Sequence, residues 1–276
     1  MTDQERTDWL AAAEEAARRG GAVLEDWRSR FSVREKARTD LVTDADLAAQ
    51  QAVKESLTRR FPGHGFLGEE DASHHRPGPD APPTWIVDPL DGTTNYVHDV
   101  PMYCVSIGLQ AAGELVVGVV FDPRSGELFS AAKGAGATLN GRPITTSATD
   151  RLDQALLATG FPYDYDRSML ALDWWRYLAR YAQSLRRTGS TALNLAYVAA
   201  GRFDGYWAFD NHVWDIAGGI VLVREAGGTA TAVDGSPLDP YRADSVVTNG
   251  PLHAELLGHL RTGPHRGSSD PPGLVR

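Results

Sequence analysis

Apolar residues recur at a helical period over most of the first 60 positions. Trp9, Ala12, Ala13, Ala16, Ala17, Val23, Leu24 and Trp27 fall at near-helical spacing in a segment rich in Ala, Glu and Arg. This predicts an amphipathic helix from Glu5 to about Arg30, with a bend allowed at Gly20-Gly21. The polar stretch Ser32 to Asp40 leads into Thr43-Asp44-Ala45-Asp46, a helix-opening capping pattern with Asp where Glu is usual. A second helix follows as far as Arg60, where Phe61-Pro62-Gly63 stops it, and Gly68-Glu69-Glu70 ends the next short apolar run. Residues Ala72 to Pro83, rich in Pro, His and Asp, read as an exposed loop.

The period then changes to two. Trp85 to Val87, Tyr103 to Gln110, Glu114 to Phe121 and Glu127 to Ala132 read as strands, with a turn at Asn140-Gly141; the short connections predict an antiparallel meander. Further on, a strand at Ala155 to Thr159 is followed by helices at about Ser168 to Gln183, Thr191 to Ala200 and Trp214 to Ala226, an α/β alternation. The expected organisation is an N-terminal α+β part over residues 1–148, a C-terminal α/β part over 149–261, and a disordered tail at 262–276.

Composition narrows the function classes. A chain of 276 residues, 42% hydrophobic, can bury one large core or two smaller ones. Its single cysteine, Cys104, lies in an apolar stretch and is expected to be a buried thiol rather than a nucleophile. No stretch reaches membrane-spanning length and no secretory segment opens the chain, so a soluble cytoplasmic protein is expected. A formal charge of -9 argues against general nucleic-acid binding. The densest basic groups are short: Arg59-Arg60 ends a helix, and Arg186-Arg187 precedes a Gly-Ser-Thr turn. Global charge does not exclude an anionic substrate, because bound metal inverts the local field.

The candidate chemistry centres on Trp85 to Asn95, W-I-V-D-P-L-D-G-T-T-N. Two carboxylates, Asp88 and Asp91, flank a stiff Pro89, and Gly92 then permits close backbone approach before a helix-opening Thr93-Thr94. Hard oxygen ligands suit magnesium, and the free N–H groups of a helix N-terminus suit a phosphate. Hydrolysing a phosphate monoester with magnesium needs several carboxylates, and Glu69 and Asp215 are further candidates if folding brings them in. Taken singly, Asp215 is explained as a first-turn helix acid, Glu69 as a surface-turn acid and Asp46 as a cap.

Four stretches carry a resemblance to a known family. F-P-G-H-G-F-L-G-E-E (Phe61 to Glu70), W-I-V-D-P-L-D-G-T-T-N-Y (Trp85 to Tyr96) and W-D-I-A-G-G-I-V-L-V-R-E-A-G-G (Trp214 to Gly228) resemble the magnesium-dependent, lithium-sensitive inositol monophosphatases of the fructose-bisphosphatase-like group. R-R-T-G-S-T-A-L-N-L-A-Y-V-A-A-G-R-F-D-G-Y (Arg186 to Tyr206) resembles the bacterial branch. The resemblance spans about Leu10 to Leu260.

It implies a layered α-β-α-β-α sandwich, a homodimer, two or three Mg2+ per site, and hydrolysis of a small phosphate monoester, most of all myo-inositol 1-phosphate. It further implies that Glu69, Asp88, the Leu90 carbonyl, Asp91 and Asp215 hold metal, and that Gly92 and Thr93 hold phosphate through backbone N–H groups, with Asp91 and Asp215 also facing substrate. Thr93, with Asp46 behind it and Glu69 nearby, would orient the attacking water, and Glu70 would support. His98 and His212 are expected to have a structural or rim role rather than a catalytic one. Inositol-selective relatives have a glutamate where this chain has Ala208, which opens the substrate to histidinol-phosphate, fructose 1,6-bisphosphate or adenosine 3',5'-bisphosphate; Asp210 is a possible replacement. Some bacterial relatives bind the transcription machinery, a regulatory alternative.

Overall fold

Thr2 caps the first helix, α1 (Asp3–Trp27), in a capping box with Glu5. The computed structural model describes residues 2–37, 40–71, 76–78, 80–242 and 244–264. Much of the loop expected over Ala72 to Pro83 and most of the expected tail lie outside the described residues. The helix runs as one element through Gly20-Gly21. Those glycines are places of close packing, since a Cβ on Gly20 would stand 2.8 Å from Val53 and one on Gly21 2.6 Å from Phe121. The polar stretch after α1 forms a hairpin, β1 (Val33–Ala37) and β2 (Asp40–Thr43), that periodicity did not signal. Then α2 (Asp44–Arg60) opens at the Thr43 cap and closes at Phe61, as the capping and stop signals predict.

A seven-stranded sheet follows, in the spatial order β3 (Gly65–Gly68), β4 (Thr84–Asp91), β5 (Cys104–Ala111), β6 (Glu114–Asp122), β7 (Glu127–Ala132), β8 (Ala137–Leu139) and β9 (Arg142–Ile144). The meander from β4 to β9 is antiparallel as expected. The sheet as a whole is mixed, because β3 pairs parallel with β4. β4 also extends beyond Val87: Asp88 to Asp91 continue the strand through a register shift against β5, a bulge that accommodates Pro89. A short helix, α3 (Thr93–Val97), follows it.

The second sheet is assembled from β10 (Leu156–Thr159), α4 (Tyr165–Leu178), β11 (Ser184–Arg186), α5 (Thr191–Ala199), β12 (Gly205–Ala208), α6 (Val213–Glu225), β13 (Thr229–Thr231), β14 (Ser245–Thr248) and α7 (His253–Thr262). Its strand order is β11-β10-β12-β14-β13, with parallel pairing around β10 and antiparallel pairing at β14. Here α4 begins three residues before Ser168, because Asp164 accepts from the Arg167 N–H and sets the first turn.

Three cores stack these elements into the expected α-β-α-β-α sandwich. Trp9, Leu24, Val53 and Leu57 of α1 and α2 meet Trp85, Val105, Ile107 and Val119 on one face of the large sheet. Leu195 and Val198 of α5 and Ile216 and Ile220 of α6 fill the space between the sheets with Val120, Phe129 and Tyr206. Leu178 of α4 and Leu256 and Leu260 of α7 cover the outer face, against Leu157 and Trp207. Along β12, Tyr206 and Ala208 face the middle core and Trp207 the outer one, the two-residue alternation of a strand buried on both sides.

α6 lies on the large sheet at backbone distance. A Cβ on Gly118 would stand 2.2 Å from the Gly218 carbonyl oxygen, so no side chain fits without moving the helix. Gly118→Ala is expected to lower unfolding stability by about 2 kcal/mol, read from urea denaturation. The control is Gly258→Ala in exposed α7, where a Cβ meets nothing within 4 Å; it is expected to raise stability by about 0.5 kcal/mol. Equal shifts in the two variants would contradict the close approach of α6.

Candidate active site

The parallel pairing of β3 with β4 brings the first distant acid into place. Gly68 pairs with Val87, and the Glu69 N–H extends the ladder to the Val87 carbonyl at 3.0 Å, so Glu69 leaves the sheet beside Asp88. A turn-residue acid in the sequence thus becomes a neighbour of the strand-end acid. Burial pushes the Asp88 carboxyl well up, and the charges of Glu69, Asp91 and Asp215 push it further. Its Oδ1 accepts the Leu90 N–H at 3.0 Å, closing the bulge around Pro89.

Asp91 ends β4 facing the N-terminus of α5. Its Oδ1 accepts the Thr191 N–H at 3.0 Å, and its Oδ2 accepts the Ala192 N–H at 2.6 Å and the Ser190 hydroxyl at 2.6 Å, with the Cys104 thiol at 3.7 Å. Burial raises its pKa to about 6, while these donors, Ser190 foremost, hold it from rising further. Cys104 is a buried thiol, as expected, and burial pushes it well up. Asp215 comes from the first turn of α6 and accepts the His212 N–H at 2.7 Å.

Thr93 connects this floor to α2. Its hydroxyl lies 3.1 Å from the Leu90 carbonyl oxygen and 3.2 Å from Asp46 Oδ1. The other oxygen of Asp46 accepts the Thr43 N–H at 2.8 Å and so caps α2. The cap and the Thr93 contact use different oxygens and do not exclude each other. Burial lifts Asp46 to about 7 against the lowering by Thr43, with Glu69 and Glu70 adding their charge. Gly92, at φ 100°, precedes Thr93; a Cβ there would stand 2.8 Å from the Met102 carbonyl oxygen, so the turn that opens α3 requires glycine.

These residues line one cavity of about 610 Å³, closed on its other side by Thr159 to Asp164, Arg187, Gly189 to Thr191, Asn194 and Phe209 to His212. Glu69, Glu70, Asp88, Leu90, Asp91, Gly92, Thr93 and Asp215 all line it. Asp46 stands behind Thr93, fully buried. His212 is at the rim, its ring stacked on Trp214 with centroids 4.6 Å apart, whereas His98 caps α3 away from the cavity wall. Ala208 is buried in β12 and does not line the cavity; Asp210 does, paired with Arg167 of α4.

Sequence reasoning had not assigned site roles to Ser190, Thr191, Asn95 or the Phe161–Asp164 segment. Ser190 was legible only as part of the Gly-Ser-Thr turn after Arg187. Asn95 donates from Nδ2 to the Met102 and Thr188 carbonyls at 2.7 and 2.9 Å, tying α3 to the loop before α5.

The donor set fits a hard divalent cation. Oxygen atoms predominate, the charges of Glu69, Asp91 and Asp215 add to the raised pKa of Asp88, and Cys104 is turned to hydrogen-bonding Asp91. Among the described residues, no three His, Cys, Asp or Glu side chains converge into a closed cage. Magnesium does not require one, since it uses one or two carboxylates and keeps several waters.

The profile of the inositol monophosphatase family matches residues 5–264. The chain is 45% identical to the inositol-1-monophosphatase of Synechocystis sp., over 93% of this chain and 90% of that one. It is 42% identical to the Nus factor SuhB of Pseudomonas aeruginosa, over 89% and 90%. Among solved structures, the inositol monophosphatase of Anabaena superposes with a TM-score of 0.84 at 42% identity, covering 94% of this chain and 97% of that one. Among the described residues, no helix is long and apolar enough to cross a membrane.

Two outcomes follow from the geometry. Asp46, Asp88 and Asp91 have raised folded-state pKa values, so folded metal-free protein holds protons that unfolded carboxyls, near 3.9, have released. Their stabilisation is present at low pH and is lost as pH rises through the folded values, so the melting temperature of metal-free protein should fall between about pH 5 and pH 7.5. His64 and His253, lowered by burial, act in the opposite sense as pH rises toward about 6.5, so the comparison is with Asp88→Asn, whose slope should be flatter. Identical slopes would sink the account. Separately, Ser190→Ala should cost about 1 kcal/mol of stability through the lost cap and weaken magnesium binding about tenfold by freeing Asp91. Unaltered magnesium affinity in a calorimetric titration would show that α5 does not orient Asp91.

Proposed function

From a chain that belongs to the inositol monophosphatase family, a family of phosphatases, we propose a magnesium-dependent phosphatase of small phosphate monoesters, with myo-inositol 1-phosphate as the leading substrate. The observation that carries this reading is the Thr93 hydroxyl, held by Asp46 and the Leu90 carbonyl at the edge of the acidic floor. Glu69, Asp88, the Leu90 carbonyl, Asp91 and Asp215 would hold the metal. When bound, magnesium neutralises charge on the phosphoryl oxygens and acidifies water.

The chain's own groups supply positioning. The single Thr93 hydrogen is committed to Asp46 or Leu90, which leaves its lone pairs to accept a hydrogen bond from water and aim that water at phosphorus. Asp46, once ionised, draws the Thr93 hydrogen toward itself and strengthens Thr93 as an acceptor. Gly92 and Thr93 turn first-turn N–H groups of α3, which lack intrahelical acceptors, toward the cavity as a seat for phosphate. No covalent protein nucleophile is needed, because phosphoryl transfer is mostly positioning and electrostatics.

The remaining wall suits a polyol. Thr191 Oγ1 lies 3.1 Å from the Tyr206 hydroxyl, which donates to Asn211 Oδ1 at 3.2 Å; Asn211 in turn donates to Ser245 at 2.9 Å. Thr191 and Asn211 line the cavity with Phe161 and Phe209, offering hydroxyl partners beside apolar faces. With Ala208 buried, selectivity for inositol over other polyol phosphates rests on this network. A regulatory reading is favoured by one observation, the similarity to a protein named a Nus factor.

Thr93→Ala is expected to lower kcat about 100-fold, and Asp88→Asn to remove magnesium-dependent turnover, in a substrate panel run with and without magnesium and lithium. Absence of magnesium-dependent hydrolysis of every ester by the wild type would overturn the phosphatase reading. A cellular phenotype that survives Asp88→Asn would favour the regulatory one.

A further inference from the structure

Hydrolysis at the acidic floor leaves one charged group of the cavity unused. Arg187 lies between β11 and Ser190, the cap of α5, and contributes to the cavity wall. The neighbouring ionic groups are engaged. Asp71 holds Lys54 at 3.1 Å and the Gly68 N–H at 2.9 Å, Asp210 pairs with Arg167, and Asp164 caps α4. Arg186, adjacent in the chain, donates to the Ser184 hydroxyl and the Leu185 carbonyl at 2.6 and 3.0 Å. Among the described residues, Arg187 has no hydrogen-bond or ion-pair partner, and it is exposed.

The backbone that carries this guanidinium is anchored. Asn95 of α3 donates to the Thr188 carbonyl at 2.9 Å, and the Thr188 hydroxyl donates to Asn194 of α5 at 2.7 Å. Gly189, at φ 92°, sits so close to Asn95 that a Cβ would stand 2.7 Å from its Nδ2. Arg187 is thus fixed at its root to the helix that begins with Thr93, at a set reach from the phosphate seat. A cation anchored in this way, in a wall whose acids are already paired or hydrogen-bonded, matches a planar anion through its fork of donors. The cavity, at about 610 Å³, leaves room for more than the reacting phosphate.

Resting on the phosphatase reading, we propose that Arg187 forms a second anion subsite, so that the cavity also binds phosphate monoesters bearing a further phosphate or carboxylate away from the scissile bond. Nothing covalent happens at this subsite; it raises affinity and fixes which end of a two-anion substrate reaches the floor.

The test compares hexose 1,6-bisphosphate with glycerol 2-phosphate as substrates of the wild type, Arg187→Ala and Arg187→Lys in magnesium. Arg187→Ala should lower the kcat/KM ratio of bisphosphate over glycerol phosphate at least about tenfold, mainly through KM, the range expected for a charge-assisted hydrogen bond. Arg187→Lys should recover part of that ratio, because an ammonium keeps the charge and loses the fork. A proportional loss on both substrates, leaving the ratio unchanged, would overturn the subsite while sparing the phosphatase reading. If the wild type hydrolyses neither substrate, calorimetric titration of the bisphosphate in magnesium decides the subsite: a Kd at least about tenfold weaker in Arg187→Ala supports it, and equal Kd values overturn it; the phosphatase reading itself fails only if myo-inositol 1-phosphate and every other ester are left intact as well.

Discussion

Asp91 is a carboxylate buried at the seam between two sheets, and its four acceptor contacts come from Ser190, Thr191, Ala192 and Cys104. Three of these donors belong to the start of α5, so a side chain of the first sheet serves as an anion at a helix N-terminus of the second layer. Burying a charge is costly unless donors replace water, and here they do. The seam thereby fixes the orientation of α5, and with it the Arg187–Thr191 wall, relative to the β4 bulge. Everything the cavity offers on its far side depends on that registration.

The same economy appears at the other acids. Asp46 uses one oxygen to close the α2 cap and the other to meet Thr93. Asp215 closes the first turn of α6 through the His212 N–H while lining the cavity. Asp88 holds its own bulge through the Leu90 N–H. Each of the four site aspartates is also a local structural device, and so keeps its direction while held among like charges. Burial raises the pKa values of Asp88, Asp91 and Asp46, and neighbouring carboxylate charges add to the rise at Asp88 and Asp46, which makes the floor receptive to cations.

How much of this was readable in advance varied with the range of the interaction. The α1 and α2 patterns, the Thr43 cap, the Phe61 stop and the strands from β5 to β7 follow from local periodicity and turn chemistry. The hairpin β1–β2 and the short strands β11 to β14 did not stand out, because three to five residues with mixed polarity carry too little periodicity. The bulged continuation of β4 through Asp-Pro-Leu-Asp read as a loop, since proline argues against a central strand until a register shift accommodates it. In the site, Asp88, Asp91, Gly92 and Thr93 were legible as one contiguous motif, and Glu69, Asp46 and Asp215 through the family resemblance. Ser190 and Asn95 looked like ordinary turn and motif polar residues, for their partners lie 99 and 93 positions away.

What the sequence by itself determined was the inventory of chemistry: the acids, the glycine whose turn opens α3, the helix caps, and hence the family and its layered fold. These are encoded locally, in residue type, spacing and period. Tertiary structure alone decided that Gly68 pairs with Val87 and so places Glu69 beside Asp88, that α5 clamps Asp91, that Ala208 is turned into the core, and that Arg187 is left without a partner while Arg186 is satisfied. Those outcomes depend on strand register and on which charges meet in space, and no window of neighbouring residues carries that information.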